Sequence, residues 1–115
     1  MKYLDIINEN RKLSSELKSP NYEVGIVSNI TTAPIKDILE LSLRREGINA
    51  SVVIGDYDSV VQDSIKFASL DAVIIVWEAI NFIDGLHYCA NNLISKDRKD
   101  LREQMEAKVR LVMSN

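Results

Sequence analysis

Residues 24–32 read VGIVSNITT, an apolar run that passes directly into Ser28, Asn29, Thr31 and Thr32, with Ala33-Pro34 next. Few folds accommodate that order. A short apolar strand ends in a polar turn, and a proline stands in the first turn of a helix, where a missing N–H costs nothing. In α/β folds the carboxyl end of such a strand faces a helix amino terminus, and ligands collect there.

The same unit recurs along the chain. Tyr22–Val27 is the first strand, and the helix after it is expected over Ala33–Glu46, with Thr32 placed to cap it. Ile35, Ile38, Leu39 and Leu43 form its apolar stripe. Glu40 and Arg44 stand four apart in the favourable order, a pairing worth about a few tenths of a kcal/mol at a helix surface. Gly47 and Ile48 can close the helix in a Schellman-type cap. Ala50–Ile54 reads as a second strand, ended by Gly55, with Asp58 capping a helix from Ser59 to about Phe67. Ala72–Trp77, AVIIVW, reads as a third strand. It shows no alternation, so a central strand buried on both faces is expected.

Helices flank these units. Tyr3, Ile6, Ile7, Asn10, Leu13 and Leu17 recur at helical steps, which predicts a helix over Tyr3–Leu17, stopped by Ser19-Pro20-Asn21. Asp84 can cap a helix over Gly85–Ile94, and Ser95 one over Lys96–Met113. Leu101, Met105, Val109 and Val112 would form the stripe of that last helix, and Glu106 would pair with Arg110. Parallel strands with right-handed crossovers follow from this order. The expected fold class is α/β. One domain over residues 1–115 would have three layers, a short parallel sheet of about three strands flanked by helices, in a Rossmann-like arrangement.

Composition narrows the functions. Fourteen basic and 17 acidic residues give a formal charge of −3, and no basic block appears, so neither nucleic acid nor anionic lipid is an expected partner. No apolar run approaches the roughly 20 residues of a membrane span. The start, MKYLDIINENRKL, has acids and amides where a signal peptide needs an apolar core. Cys89 is the sole cysteine, so no internal disulfide is possible, and a reducing cytoplasm is the expected location. His87 and Cys89, two residues apart, make a poor ligand set, and neither metal nor cofactor is expected.

Three strand ends would meet at one edge of the sheet. The first brings Ser28, Asn29, Thr31 and Thr32, the second Gly55, Asp56, Tyr57 and Asp58, the third Trp77, Glu78 and Asn81. A Ser28 just past its strand would expose its hydroxyl beside unpaired helix amides, which suit a phosphate or an oxyanion. The same residues also serve simply to tie a turn and cap a helix. A serine nucleophile needs a base, and His87 is the sole histidine, inside an expected helix. Asp56 and Asp58 read either as solvated loop residues or as a cation pair. Gly55 serves a turn or a close backbone approach. Trp77 is a ligand wall or a core residue, Gln62 and Asn81 are polar groups near helix starts, and Cys89 is a small core residue.

Residues 24–85 resemble the amino-terminal region of FkbH-like proteins. The resemblance rests on Ser28-Asn29-x-Thr31, a leucine-rich helix, Arg45-x-Gly47-Ile48, Gly55-x-Tyr57 with Gln62, and the strand LDAVIIVWEAI. It implies an SGNH-like domain, related to the SGNH/GDSL hydrolases. In that family the domain is joined to a phosphatase-like domain of the haloacid dehalogenase type. Members are associated with loading a glyceryl unit from a phosphorylated glycerate onto an acyl carrier protein, in polyketide or surface-polysaccharide pathways. The chain departs from the pattern in three ways. No DxDGT motif and no late Asp-x-x-His block is present, and alignment on Thr31 puts Asn29 at the nucleophile position. Gly55 would match the glycine oxyanion donor and Asn81 the asparagine of that superfamily.

Three functions follow as expectations. One is a domain that binds an acyl or glyceryl group, or its acyl carrier protein, beside a separate catalytic partner. There Ser28 would be nucleophile or anchor, and the backbone around Asn29 and Gly55 the anion site. The second is a small serine esterase or acyltransferase using Ser28. The third is a non-catalytic interaction domain pairing through its sheet edge or last helix, with a second copy of the chain among the candidate partners.

Overall fold

The computed structural model describes residues 1–18, 21–78 and 95–115. In chain order the elements are α1 (Tyr3–Glu16), β1 (Tyr22–Ser28), α2 (Ala33–Arg45), β2 (Ala50–Ile54), α3 (Val60–Lys66), β3 (Ala72–Val76) and α4 (Ser95–Met113). The helix expected over Gly85–Ile94, with Asn81, Asp84, His87 and Cys89, lies outside the described residues. The strands form one parallel sheet in the order β2-β1-β3. Val24 lies opposite both Val52 and Ala72, which fixes the register on the two sides. This is the expected α/β architecture, a short parallel sheet with helices on both faces.

The central strand is β1. Val24, Ile26 and Val27 are buried, whereas β3 stands at an edge with Ile74 at 39% and Ile75 at 36% exposure. The expectation of a central third strand is therefore corrected. A continuous apolar run signals two covered faces only if neighbours cover them, and among the described residues β3 has a strand on one side alone. The order 2-1-3 makes the β1-to-β2 and β2-to-β3 crossovers run in opposite directions across the sheet, and right-handed connections then put successive helices on opposite faces. The core divides accordingly. Val24, Ile26 and Val52 pack with Leu39 and Leu43 of α2 on one face. Val27 packs with Val60 and Phe67 and with Val112 of α4 on the other. Gly25 lets α3 approach, because a Cβ there would lie 2.7 Å from the Phe67 ring and 2.9 Å from Leu70.

Local stops follow the sequence closely in α2. Pro34 sits in its first turn, Gly47 adopts φ +81°, and Ile48 N–H donates to Leu43 O at 3.0 Å while Gly47 N–H donates to Arg44 O at 3.0 Å. These two bonds are the Schellman pair. Other expected details shift. Ser59, not Asp58, precedes α3, and Asp58 takes a left-handed φ of 54° with its N–H on Ser28 O at 3.0 Å. An aspartate tolerates that conformation better than most residues. Neither Thr32 nor Ser59 makes a side-chain capping bond. Glu106 pairs with Arg102 at 3.2 Å rather than with Arg110.

The Glu40–Arg44 pair is more than a surface pair. Arg44 Nη2 donates to Ala50 O at 3.0 Å, and Glu40 Oε1 accepts from Val52 N–H at 3.0 Å. Arg44 Nη1 also reaches Asn10 Oδ1 at 3.1 Å, and Asn10 Nδ2 donates to Asp37 O at 2.8 Å. Glu40 is buried and Arg44 largely covered, and the pair ties α1, α2 and the outer edge of β2 together. Further out, Arg45 holds Glu9 at 2.6 Å, and the Tyr3 hydroxyl donates to the Asp37 carboxylate. The Arg45 hydrogen bond holds the Glu9 carboxyl below the usual carboxylate range. The bond to Asp37 pushes the Tyr3 phenol up.

Candidate functional site

Strand β1 ends at Ser28, one residue later than its apolar run suggests. That residue decides the hydroxyl's surroundings. Ser28 is 6% exposed, and its Oγ donates to Ile30 O at 2.6 Å, with Thr32 Oγ1 3.4 Å away. The expected exposed hydroxyl is not found. Inside the strand end it turns back to satisfy a carbonyl of its own turn, a common use of serine at such places.

Asn29 is fully buried, at 0% exposure. Its Nδ2 donates to Glu78 O at 2.9 Å, and its Oδ1 accepts from Glu78 N–H at 2.7 Å. The side-chain amide thus acts as one more peptide group in the β1–β3 ladder, beyond the point where the backbone pairing stops. Sheets of this kind usually bind ligands in the crevice where the strand order reverses, between β1 and β3. Here the Asn29 amide bridges that crevice.

The open space lies on the other side, between the carboxyl ends of β1 and β2 and the start of α2. A cavity of about 140 Å³ is lined by Ser28, Ile30, Thr31, Thr32, Ala33, Ile54, Gly55 and Tyr57. Of the residues expected at the site, Ser28, Thr31, Thr32, Gly55 and Tyr57 meet there. Tyr57, 68% exposed, forms its outer wall. Among the described residues, the N–H groups of Thr31, Thr32 and Ala33 have no acceptor. Thr32 and Ala33 are unpaired donors at the α2 amino terminus, the positive end of its dipole, and Thr31 precedes its cap.

The other expected residues point elsewhere. Asn29 N–H donates to Val76 O at 3.4 Å and Gly55 N–H to Ile26 O at 2.8 Å, so the two amides expected to form an anion site continue the sheet instead. Gly55 serves close approach: a Cβ there would collide with the Asp63 carboxylate. Asp56 N–H donates to Asp63 Oδ2 at 2.7 Å. Trp77 packs against the Val27–Phe67 cluster, Glu78 engages Asn29 through its backbone, and Gln62 is exposed outside the cavity. Asn81 lies outside the described residues.

Asp63 is the site residue that the sequence reading missed. It is buried in the first turn of α3 and fixes the Gly55–Asp56 turn that borders the cavity. Its spacing carried a signal, since Val60, Asp63, Ser64 and Phe67 share one helical face and all are buried.

Chemically, the cavity is bordered by residues with unpaired amides, Thr31, Thr32 and Ala33, and by the apolar side chains of Ile30, Ala33 and Ile54. Its volume is well below the roughly 300–1,000 Å³ of pockets for drug-sized ligands, so it suits a small oxygen-bearing group. Fold and site together define a small parallel α/β protein with a rim pocket. No protein-family model, curated protein or solved structure matches the chain. Among the described residues, no helix is long and apolar enough to cross a membrane.

Proposed function

We propose that this chain is a binding module of the FkbH-like amino-terminal, SGNH-like type. It holds an acyl or glyceryl group, or the acyl carrier protein that bears it, for a separate catalytic partner such as a phosphatase-like domain of the haloacid dehalogenase type. The setting is polyketide or surface-polysaccharide biosynthesis in the cytoplasm. The observation that carries this reading is the rim cavity lined by Thr31, Thr32, Ala33 and Tyr57, of which the first three have backbone amides without an acceptor among the described residues. A glyceryl or short acyl carbonyl matches that chemistry, with oxygen toward the amides and carbon toward Ile30 and Ile54. Binding is favoured over nucleophilic catalysis by one detail: the Ser28 hydroxyl is buried and already donates to Ile30 O at 2.6 Å.

Calorimetric titration with a glyceryl-loaded acyl carrier protein tests the reading. Wild type and Ser28→Ala should both bind, and Ala33→Trp, which fills the cavity, should not. Absence of binding by folded wild type, or equal binding by Ala33→Trp, contradicts it. A serine-directed fluorophosphonate should leave Ser28 unlabelled. Stoichiometric labelling there would favour the esterase reading.

A further inference from the structure

The two edges of the sheet are finished differently. The outward-facing groups of β2 are met by side chains, Ala50 O by Arg44 at 3.0 Å and Val52 N–H by Glu40 at 3.0 Å. Asn29 N–H donates to Val76 O and the Asn29 side chain engages Glu78, so the even-numbered residues of β3 face β1. Val73 and Ile75 therefore turn their backbone N–H and C=O groups outward. Among the described residues these groups meet no partner. The strand also lacks the usual guards of an edge, since AVIIV contains no lysine and no proline and its register against β1 is unbroken. Ile74 and Ile75 project to opposite faces of the sheet, and both are exposed.

We propose that β3 pairs antiparallel with β3 of a second copy of this chain, about a two-fold axis at Ile74, so that two three-stranded sheets become one of six strands. Three features select this occupant. The unmet groups are backbone donors and acceptors in strand spacing, which an extended chain satisfies. The segment is close to self-complementary. With Ile74 on the axis, Val73 faces Ile75 of the second copy, Ala72 faces Val76, and Asp71 falls opposite Trp77, so no like charges are opposed. The third feature is the guarded edge. A head-to-tail filament would need β3 of one copy against β2 of the next, and Glu40 and Arg44 occupy that edge. The isologous contact closes on itself and stops at two copies.

Sedimentation velocity of the full chain over a concentration series tests this. Wild type should reach a dimer. Ile75→Pro removes an outward N–H that no described residue of the monomer accepts, and Ile75→Lys adds a charge at the seam. Each should raise the dimer dissociation constant by more than about tenfold with the circular dichroism unchanged. The lysine variant decides the matter if the proline variant fails to fold. Register is tested in a Cys89→Ser background. Ile74→Cys should cross-link on mild oxidation, because residues opposed in a non-hydrogen-bonded pair lie about 4.5 Å apart between Cα atoms, within disulfide reach. Ile75→Cys should not cross-link. A wild-type chain that stays monomeric at every concentration, a dimer that survives the folded variants, or cross-linking at position 75 in preference to 74 overturns the proposal.

Discussion

Replacing Asn29 by alanine removes both hydrogen bonds that its amide makes to Glu78, 2.9 Å from Nδ2 and 2.7 Å to Oδ1. Each is worth about 1 kcal/mol net. The side chain is fully buried, so its loss also leaves a small void. Glu78 is exposed, and water can take up part of its backbone demand, which keeps the penalty for unmet groups at the low end. The sum is a loss of about 2–3 kcal/mol. At this chain length that lowers Tm by roughly 10 °C. Urea melts followed by far-UV circular dichroism give the global value. Trp77, the sole tryptophan, adjoins the bridge and reports it locally by fluorescence. Asn29→Asp sharpens the test. It keeps an acceptor for Glu78 N–H but replaces the amide donor to Glu78 O with a buried carboxyl that donates only when protonated. Burial favours its neutral form, so the stability of this variant should be highest at low pH and fall as pH rises. A loss below about 0.5 kcal/mol for the alanine variant, the scale of an ordinary surface substitution, would refute the bridging role.

Other consequences are open to similar measurement. Gly25→Ala should destabilise by about 1–3 kcal/mol in denaturant melts, because the new methyl meets Phe67 and Leu70 within 3 Å. Glu40→Ala should cost about 3 kcal/mol, since Arg44 loses its buried partner and Val52 N–H its acceptor, whereas Glu40→Gln, which keeps an acceptor, should cost less. The Glu9 carboxyl is held down by its hydrogen bond to Arg45, so its contribution is present above the unfolded carboxylate value and lost as pH falls through the lower folded value. Arg45→Ala should therefore flatten the acid limb of Tm against pH. Tyr3 acts in the opposite sense: its phenol is raised by Asp37, so its contribution is lost as pH rises past the phenol's ordinary value, and Tyr3→Phe should remove that alkaline loss.

Features governed by neighbouring residues were legible in the sequence. The strand–turn–helix units, Pro34 in the first turn of α2 and the Gly47-Ile48 closure depend on local backbone chemistry, and all are found. Features governed by what packs against them were not. AVIIV reads the same at a centre as at an edge, because its side chains do not reveal how many strands flank it. Ser28 shows how much rests on one residue of strand length, since a single step inward turns a rim hydroxyl into an interior one. Asn29 looked like a ligand-facing amide, yet an amide is also the side chain best suited to imitate a peptide group. Glu40 and Arg44 were visible as a helical pair, but their role on the edge of β2 needs the strand beside them. Asp63 was legible and overlooked, an acid on the buried face of its helix.

The proposed binding function requires that the cavity bordered by Thr31, Thr32 and Ala33 accept a small acyl or glyceryl group at their unpaired amides. Amide-resolved NMR, with a glyceryl thioester of pantetheine titrated into the full chain, reads those groups individually. That function predicts saturable shifts centred on Thr31–Ala33 and Gly55–Tyr57, with little change along β3. Saturation of the spectrum elsewhere, or no shift at those amides at high thioester concentration, would contradict it.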